Sequence, residues 1–220
     1  MMIKPNALQF GSTIGVVAPS SPVSKKIADE SKKALEELKF KVKMGSSCYE
    51  RYGYLAGNDN IRAGDINNMF SDEEVDGIIC LRGGYGSIKI LNLIDYEMIK
   101  SNPKVFIGYS DITALHLAIH KKCNMVTIHG PMVSSDMLNG FDNFSKESLF
   151  NTIMKNEPVG PIKNPDGEKI RCLVPGKARG KLIGGNLSLI VAVMGTSYAL
   201  NMKNKIVIIT IILFCVIFIF

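Results

Sequence analysis

Four short apolar runs do most to limit the folds open to this chain: Thr13-Ile-Gly-Val-Val-Ala-Pro19, Gly77-Ile-Ile-Cys-Leu81, Val105-Phe-Ile107 and Met125-Val-Thr-Ile128. Each is continuously apolar rather than alternating, the pattern of a strand covered on both faces. Each is followed by a turn rich in Gly, Ser, Pro or Tyr, and helical spacing resumes after the first three. Strands alternating with helices at this pitch predict βαβ units and a parallel sheet. The expected class is therefore α/β.

The intervening segments agree. Ile27 to Leu38 interleaves charge with Ile27, Ala34, Leu35 and Leu38, an amphipathic helix. Phe40–Lys43 alternates as a further strand should. A long loop from Gly45 to Gly57 carries Tyr49, Tyr52 and Tyr54, and a helix over Asn60–Phe70 takes Asn58 or Asp59 as its cap. Ser87 to Leu93 is expected to be helical. From Pro158 the composition shifts to Pro and Gly, which predicts a linker over 158–169. Residues 1–157 then form the first domain. Residues 170–200, with strands at Ile170–Val174 and Gly180–Ile183 and a helix from Leu187 to Met194, begin a second.

The loop after the Val105 run carries the clearest chemical signal. Ser110 sits where a strand ends and a helix begins, close to unpaired N–H groups and the positive end of a helix dipole. Such a hydroxyl suits an acyl-transfer nucleophile. Ser is also a favoured helix cap and Asp111 an ordinary first-turn residue, and from this stretch alone both readings stand. The pattern is not Gly-x-Ser-x-Gly, because Ile112 occupies the last position. Arg82-Gly-Gly-Tyr-Gly86 follows another strand, and its glycines let a backbone approach a ligand and present an anion-binding nest. Its spacing fits neither the dinucleotide fingerprint nor the P-loop. In a parallel sheet both loops lie at the carboxyl ends of strands, where ligands bind. Arg82, Gly83, Tyr85 and, further on, Asn186 are the candidate substrate contacts, with Asn186 equally readable as a helix cap.

Other readings are weaker. His116 and His120 lie four apart on one helix, but the Glu of His-Glu-x-x-His is missing and no third ligand is placed, so no metal is expected. His129 before Gly-Pro reads as a turn residue. The net charge of +6 comes from scattered lysines without interleaved aromatics, which gives nucleic-acid binding no support. Five widely spaced cysteines, with no C-x-x-C pair, suit a reducing cytosol. The uncharged run Ile206–Phe220 would rise about 22 Å as a helix, short of the ~30 Å hydrocarbon core. It is expected to be a marginal membrane tail, an interfacial segment, a buried strand pair or a frameshifted end.

Taken together, Gly53-Tyr-Leu-Ala-Gly57, Arg82-Gly-Gly-Tyr-Gly86, Gly108-Tyr-Ser-Asp-Ile-Thr113, His129-Gly-Pro131 and Gly184-Gly-Asn-Leu187 make the chain resemble the serine LD-carboxypeptidases, a family that includes the microcin-immunity peptidases. The resemblance covers roughly residues 5 to 198. It implies an N-terminal α/β domain like that of glutamine amidotransferases and a smaller β-rich C-terminal domain, present here as its beginning. It further implies cytoplasmic release of D-alanine from murein tetrapeptides, without metal or cofactor, and allows a homodimer. Carried over, Ser110 is the nucleophile and the backbone amides of Gly84 and Asp111 are the oxyanion hole. The family's catalytic Glu and His lie beyond its Gly-Gly-Asn-Leu motif. Here no histidine follows His129 and no Asp or Glu follows Glu168. The resemblance therefore implies impaired hydrolysis by the chain as written, or a peptide-binding remnant tethered through residues 206–220.

Overall fold

A computed structural model describes residues 2–138 and 140–211. The four apolar runs and the alternating one become a five-stranded, all-parallel sheet: β1 (Thr13–Val17), β2 (Lys41–Met44), β3 (Gly77–Cys80), β4 (Val105–Gly108) and β5 (Ile128–His129), in the order β2-β1-β3-β4-β5. Every residue of β3 and β4 is buried, as their unbroken apolar character requires. The strand order reverses direction beside β1. The loops after β1 and β3 thus diverge at a switch point, the usual place for a ligand in such a sheet.

Helices cover both faces. Ile78 and Phe106 point to a cluster with Ile66 and Phe70 of α2 (Asp59–Ser71), Ile99 of α3 (Tyr96–Ser101) and Leu115 of α4 (Thr113–Cys123). Val16, Ile79 and Ile107 point the other way, toward Leu35 of α1 (Lys25–Glu37) and Leu149 and Ile153 of α5 (Asn143–Ile153). The helix starts follow from local chemistry. The Ser24 Oγ accepts from the Ile27 amide at 3.3 Å, and Asn58 Oδ1 from the Ile61 amide at 3.0 Å.

Three expectations need correcting. Ile170–Val174 is not a strand: among the described residues it pairs with none, and Ile170, Leu173 and Val174 are each more than 80% exposed. Ser87–Leu93 is a 3-10 segment, entered from Gly86 at φ +125° without a side-chain cap. Of the strand expected over Met125–Ile128 only Ile128 falls in the two-residue β5, while Met125 makes an isolated parallel bridge to Ile3. Of the readings open for the apolar C-terminal run, its described start takes that of a paired strand, partly exposed rather than buried. Lys205–Thr210 is β7, paired in parallel with β6 (Lys181–Asn186) from Lys181↔Lys205 to Asn186↔Thr210. Residues 212–220 of that run lie outside the described residues. Among the described residues no helix is long and apolar enough to cross a membrane.

The short helix α6 (Leu187–Ala192) joins β6 to β7, and Ile190 with Val193 joins the same buried cluster as Phe106 and Leu115. At the crossing the chains touch: a Cβ on Gly185 would stand 2.6 Å from Thr113 Cγ2. The Asn186 amide donates to Thr113 Oγ1 at 3.0 Å. Thr113 opens α4, three residues after Ser110, so this contact sets β6 beside the loop with the strongest chemical signal.

Candidate active site

β4 delivers the chain to Gly108, and α4 carries it away from Thr113, so residues 109–112 must reverse direction within a few ångströms. Ser110 takes the strain with φ +61°, the left-handed region that a non-glycine residue seldom occupies. It is half-buried, and among the described residues its hydroxyl has no hydrogen-bond partner. The turn after β3 lies directly against it. A Cβ on Gly83 would stand 3.1 Å from Ser110 Cβ and 3.3 Å from Ser110 Oγ. The hydroxyl and the glycine turn thus share one point in space.

The next residue holds that arrangement. The Asp111 side chain is only 2% exposed, and its Oδ2 accepts from Ser20 Oγ at 2.5 Å and from the Ser87 amide at 2.8 Å. Ser87 Oγ in turn donates to the Asp111 carbonyl. One carboxylate therefore ties the loops after β1, β3 and β4 together, with charge-assisted bonds in a dry setting. Tyr109, on the other side of the serine, donates its hydroxyl to Asp136 Oδ1 at 3.1 Å. Asp136 Oδ2 accepts from the Met132 amide at 2.8 Å, which fixes the segment after β5 as well.

The glycine turn is equally constrained. Gly84 has φ +133°, and a Cβ there would fall 2.1 Å from Ser21 Oγ, so no side chain fits. Among the described residues its amide has no hydrogen-bond partner, while the Tyr85 amide donates to Ser21 Oγ at 3.4 Å. Beneath the turn lies Arg62 of α2, fully buried. Its guanidinium donates to the carbonyls of Pro19, Gly57 and Gly86 and pairs with Asp59. Three loops that meet at the sheet's upper edge are thus joined by one side chain.

The remaining expected contacts divide. Arg82 turns back on its own neighbourhood, with Nε donating to the Gly83 carbonyl at 3.3 Å and a guanidinium nitrogen to Pro22 at 3.4 Å. Tyr85 is exposed, its ring 5.8 Å from that of Tyr54, and Lys89 sits within 6 Å of both ring centres. Asn186 is buried and its Oδ1 caps α6, accepting from the amides of Ser188 at 3.0 Å and Leu189 at 3.4 Å. That side-chain oxygen serves the fold.

Each histidine has its own place. His116 is buried against β4, with Nε2 at 2.8 Å from the Gly108 carbonyl, and burial pushes its pKa down to about 4. His129 is not in the turn but ends β5, opposite Gly108, with its ring 5.9 Å from that of Tyr109. Burial lowers its pKa too. Among the described residues no three His, Cys, Asp or Glu side chains are grouped to hold a metal ion. Two cavities of about 440 and 420 Å³ flank β5, and neither includes Ser110 in its walls. The serine instead occupies open ground between loops.

Sequence reading missed Ser20, Ser21, Ser87, Arg62 and the Asp111 carboxylate. A sequence signal existed only for Asp111, through its place beside Ser110.

Comparison with known proteins converges on one group. A family profile described as the LD-carboxypeptidase N-terminal domain matches residues 14–130. A probable murein peptide carboxypeptidase of Bacillus subtilis is 42% identical over 210 residues, covering 92% of this chain and 63% of its own. A murein tetrapeptide carboxypeptidase of Pseudomonas aeruginosa is 28% identical over 192 residues, covering 83% and 60%. Among solved structures, an MccF-like protein from Bacillus anthracis superposes with a TM-score of 0.82 at 32% identity, over 94% of this chain and 69% of that one. A muramoyltetrapeptide carboxypeptidase from Oxalobacter formigenes is alike in fold, with a TM-score of 0.77 at 24% identity, over 91% and 66%. The chain spans somewhat less than two thirds of the length of these curated relatives.

Proposed function

The chain belongs to the LD-carboxypeptidase family, and from that premise we propose that Ser110 is the nucleophile of a serine hydrolase centre. Its substrate would be a murein-derived peptide, cut at an L-to-D amide bond to release D-alanine. The observation that carries the reading is the strained Ser110 backbone, which holds the hydroxyl against the Gly83–Gly84 turn. In this reading Ser110 Oγ attacks the scissile carbonyl. The amides of Gly84 and Asp111 receive the negative charge that develops on its oxygen, and the acyl group later leaves to water. Asp111 works through its amide; its carboxylate is a positioning group, occupied by Ser20 and Ser87. Arg82, Gly83 and Tyr85 border the same opening and are the proposed substrate contacts. Asn186 supports the site by seating α6 at the start of α4.

A serine of this kind needs a proton acceptor. His116 is committed to Gly108, and no histidine follows His129 in the 220 residues. We therefore expect these 220 residues by themselves to hydrolyse slowly or not at all, since loss of a triad member costs on the order of 10⁴-fold. D-alanine release from a murein tetrapeptide by the purified chain tests this. Release at background is expected, and turnover abolished by Ser110→Ala would overturn the expected impairment while supporting the nucleophile. The second reading, a peptide-binding protein without turnover, is favoured if the tetrapeptide binds at equilibrium and remains intact.

A further inference from the structure

The proposed reaction removes a terminal residue, and the charge that distinguishes such a residue from an internal one is its carboxylate. Reading that charge takes a cation close to Ser110. The carboxylate of a leaving residue lies three bonds from the scissile carbon, so the group that receives it must stand within about 10 Å of the attacking oxygen.

Two cations border the glycine turn. Lys89 is exposed and stands over the rings of Tyr54 and Tyr85, 5.8 and 5.7 Å from their centres. Arg82 opens the turn itself. Its Nε is 3.3 Å from the Gly83 carbonyl oxygen, and a Cβ on Gly83 would stand 3.3 Å from Ser110 Oγ. Those two contacts hold Nε within about 10 Å of the hydroxyl.

Arg82 is half-buried, yet among the described residues it forms no ion pair. Charged side chains seldom give up water without a partner. The bonds it does make, at 3.3 Å to Gly83 and 3.4 Å to Pro22, are both longer than the about 3.2 Å that bounds an ordinary N–H···O bond. A guanidinium carries five N–H donors, so three are left without an acceptor among the described residues. Arg62 is the contrast: it spends its donors on three carbonyls and Asp59. The carboxylates flanking the serine loop are spent as well, Asp111 on Ser20 and Ser87, Asp136 on Tyr109 and the Met132 amide.

We propose that Arg82 selects substrates with a free terminal carboxylate, its uncommitted N–H donors gripping the carboxylate of the leaving residue as a charged fork. The inference rests on the peptidase reading and adds to it the basis for cutting only at a chain end. Binding exchanges two long bonds to carbonyls for shorter, charge-assisted ones, which neither a terminal amide nor a continuing chain can supply.

Titration calorimetry on the full 220-residue chain compares a murein tetrapeptide ending in D-alanine with the same peptide ending in D-alaninamide. The acid should bind at least about tenfold more tightly, since the amide forfeits the charged fork. Arg82→Met should bring the two peptides within about twofold of each other, at the affinity of the wild-type chain for the amide, and Arg82→Lys, which keeps the charge without the fork, should fall between. Lys89→Met should leave the preference for the acid in place. Equal affinity of the wild-type chain for acid and amide, binding of neither, a preference that survives Arg82→Met, or one lost in Lys89→Met would each overturn the assignment. The peptidase reading fails separately, through fluorophosphonate labelling of the wild-type chain. An unlabelled Ser110 beside an intact, Arg82-dependent preference would sink the nucleophile and support the carboxylate site.

Discussion

The segment up to Ile153 and the segment from Pro158 onward place equally apolar residues in opposite circumstances. In the first, Ile78, Phe106 and Leu115 are sealed between a sheet and its helices, and even a guanidinium and a carboxylate are buried because each is fully engaged. In the second, Ile170, Leu173 and Val174 stand in water, and Leu182, Ile208 and Ile209 on the β6–β7 sheet are more than a third exposed. The contrast teaches where the site gets its order. The strain at Ser110 is affordable because Asp111, Ser87, Ser20 and Arg62 over-determine the loops around it. Among the described residues no side-chain hydrogen bond steadies the stretch from 158 to 180, and it is the following strand β6 that meets Thr113, through Gly185 and Asn186.

The same class of substitution should therefore have opposite consequences in the two regions. Arg62→Met strands the carbonyls of Pro19, Gly57 and Gly86, and should cost about 3–5 kcal/mol in urea denaturation, as losing one member of a buried polar network does. Arg171→Met in the exposed stretch should stay within about 0.5 kcal/mol. Next comes acid. His116 has a folded pKa near 4, below its ordinary 6.5, so between those values the unfolded chain binds more protons and stability falls as pH drops. That group alone should contribute a loss of about 3 kcal/mol between pH 6.5 and 4. His116→Leu should remove that slope, and an unchanged pH profile would contradict the buried neutral ring. Asp111→Asn keeps the shape of the side chain but weakens its bonds to Ser20 and Ser87, and should cost roughly 2 kcal/mol. Smallest of all, Leu173→Ser should leave the denaturation midpoint unchanged while trypsin still cuts first between residues 158 and 180. First cleavage inside the five-stranded sheet would erase the distinction between the regions.

How much of this was legible in the sequence depended on how local the cause was. The apolar runs at Ile78 and Phe106 announced buried parallel strands because both faces of each are covered, a condition written into every residue. Ser110 was legible as the junction of a strand and a helix. Arg62 was not, since a charged residue on a helix ordinarily faces water, and its partners Pro19 and Gly86 are 43 and 24 residues away. The Asp111 carboxylate was hidden for the same reason, with Ser20 91 residues distant. Ile170–Val174 misled in the opposite sense: its residues suit a strand, but a strand exists only through a partner, and none of the described residues pairs with it. The 3-10 path of Ser87–Leu93 depends on the positive φ of Gly86, which composition does not convey.

The central claim is that the Ser110 hydroxyl is poised by the glycine turn. It is tested most directly by mapping, with mass spectrometry, where a fluorophosphonate labels the chain. Modification of Ser110 should outpace that of Ser20, Ser21 and Ser134 by at least about tenfold, because the backbone amides stabilise the charge that develops on the phosphoryl oxygen even without a proton acceptor. Gly84→Ala, which drives a Cβ into Ser21, should erase that advantage. Labelling of Ser110 no faster than of the other serines would contradict the account.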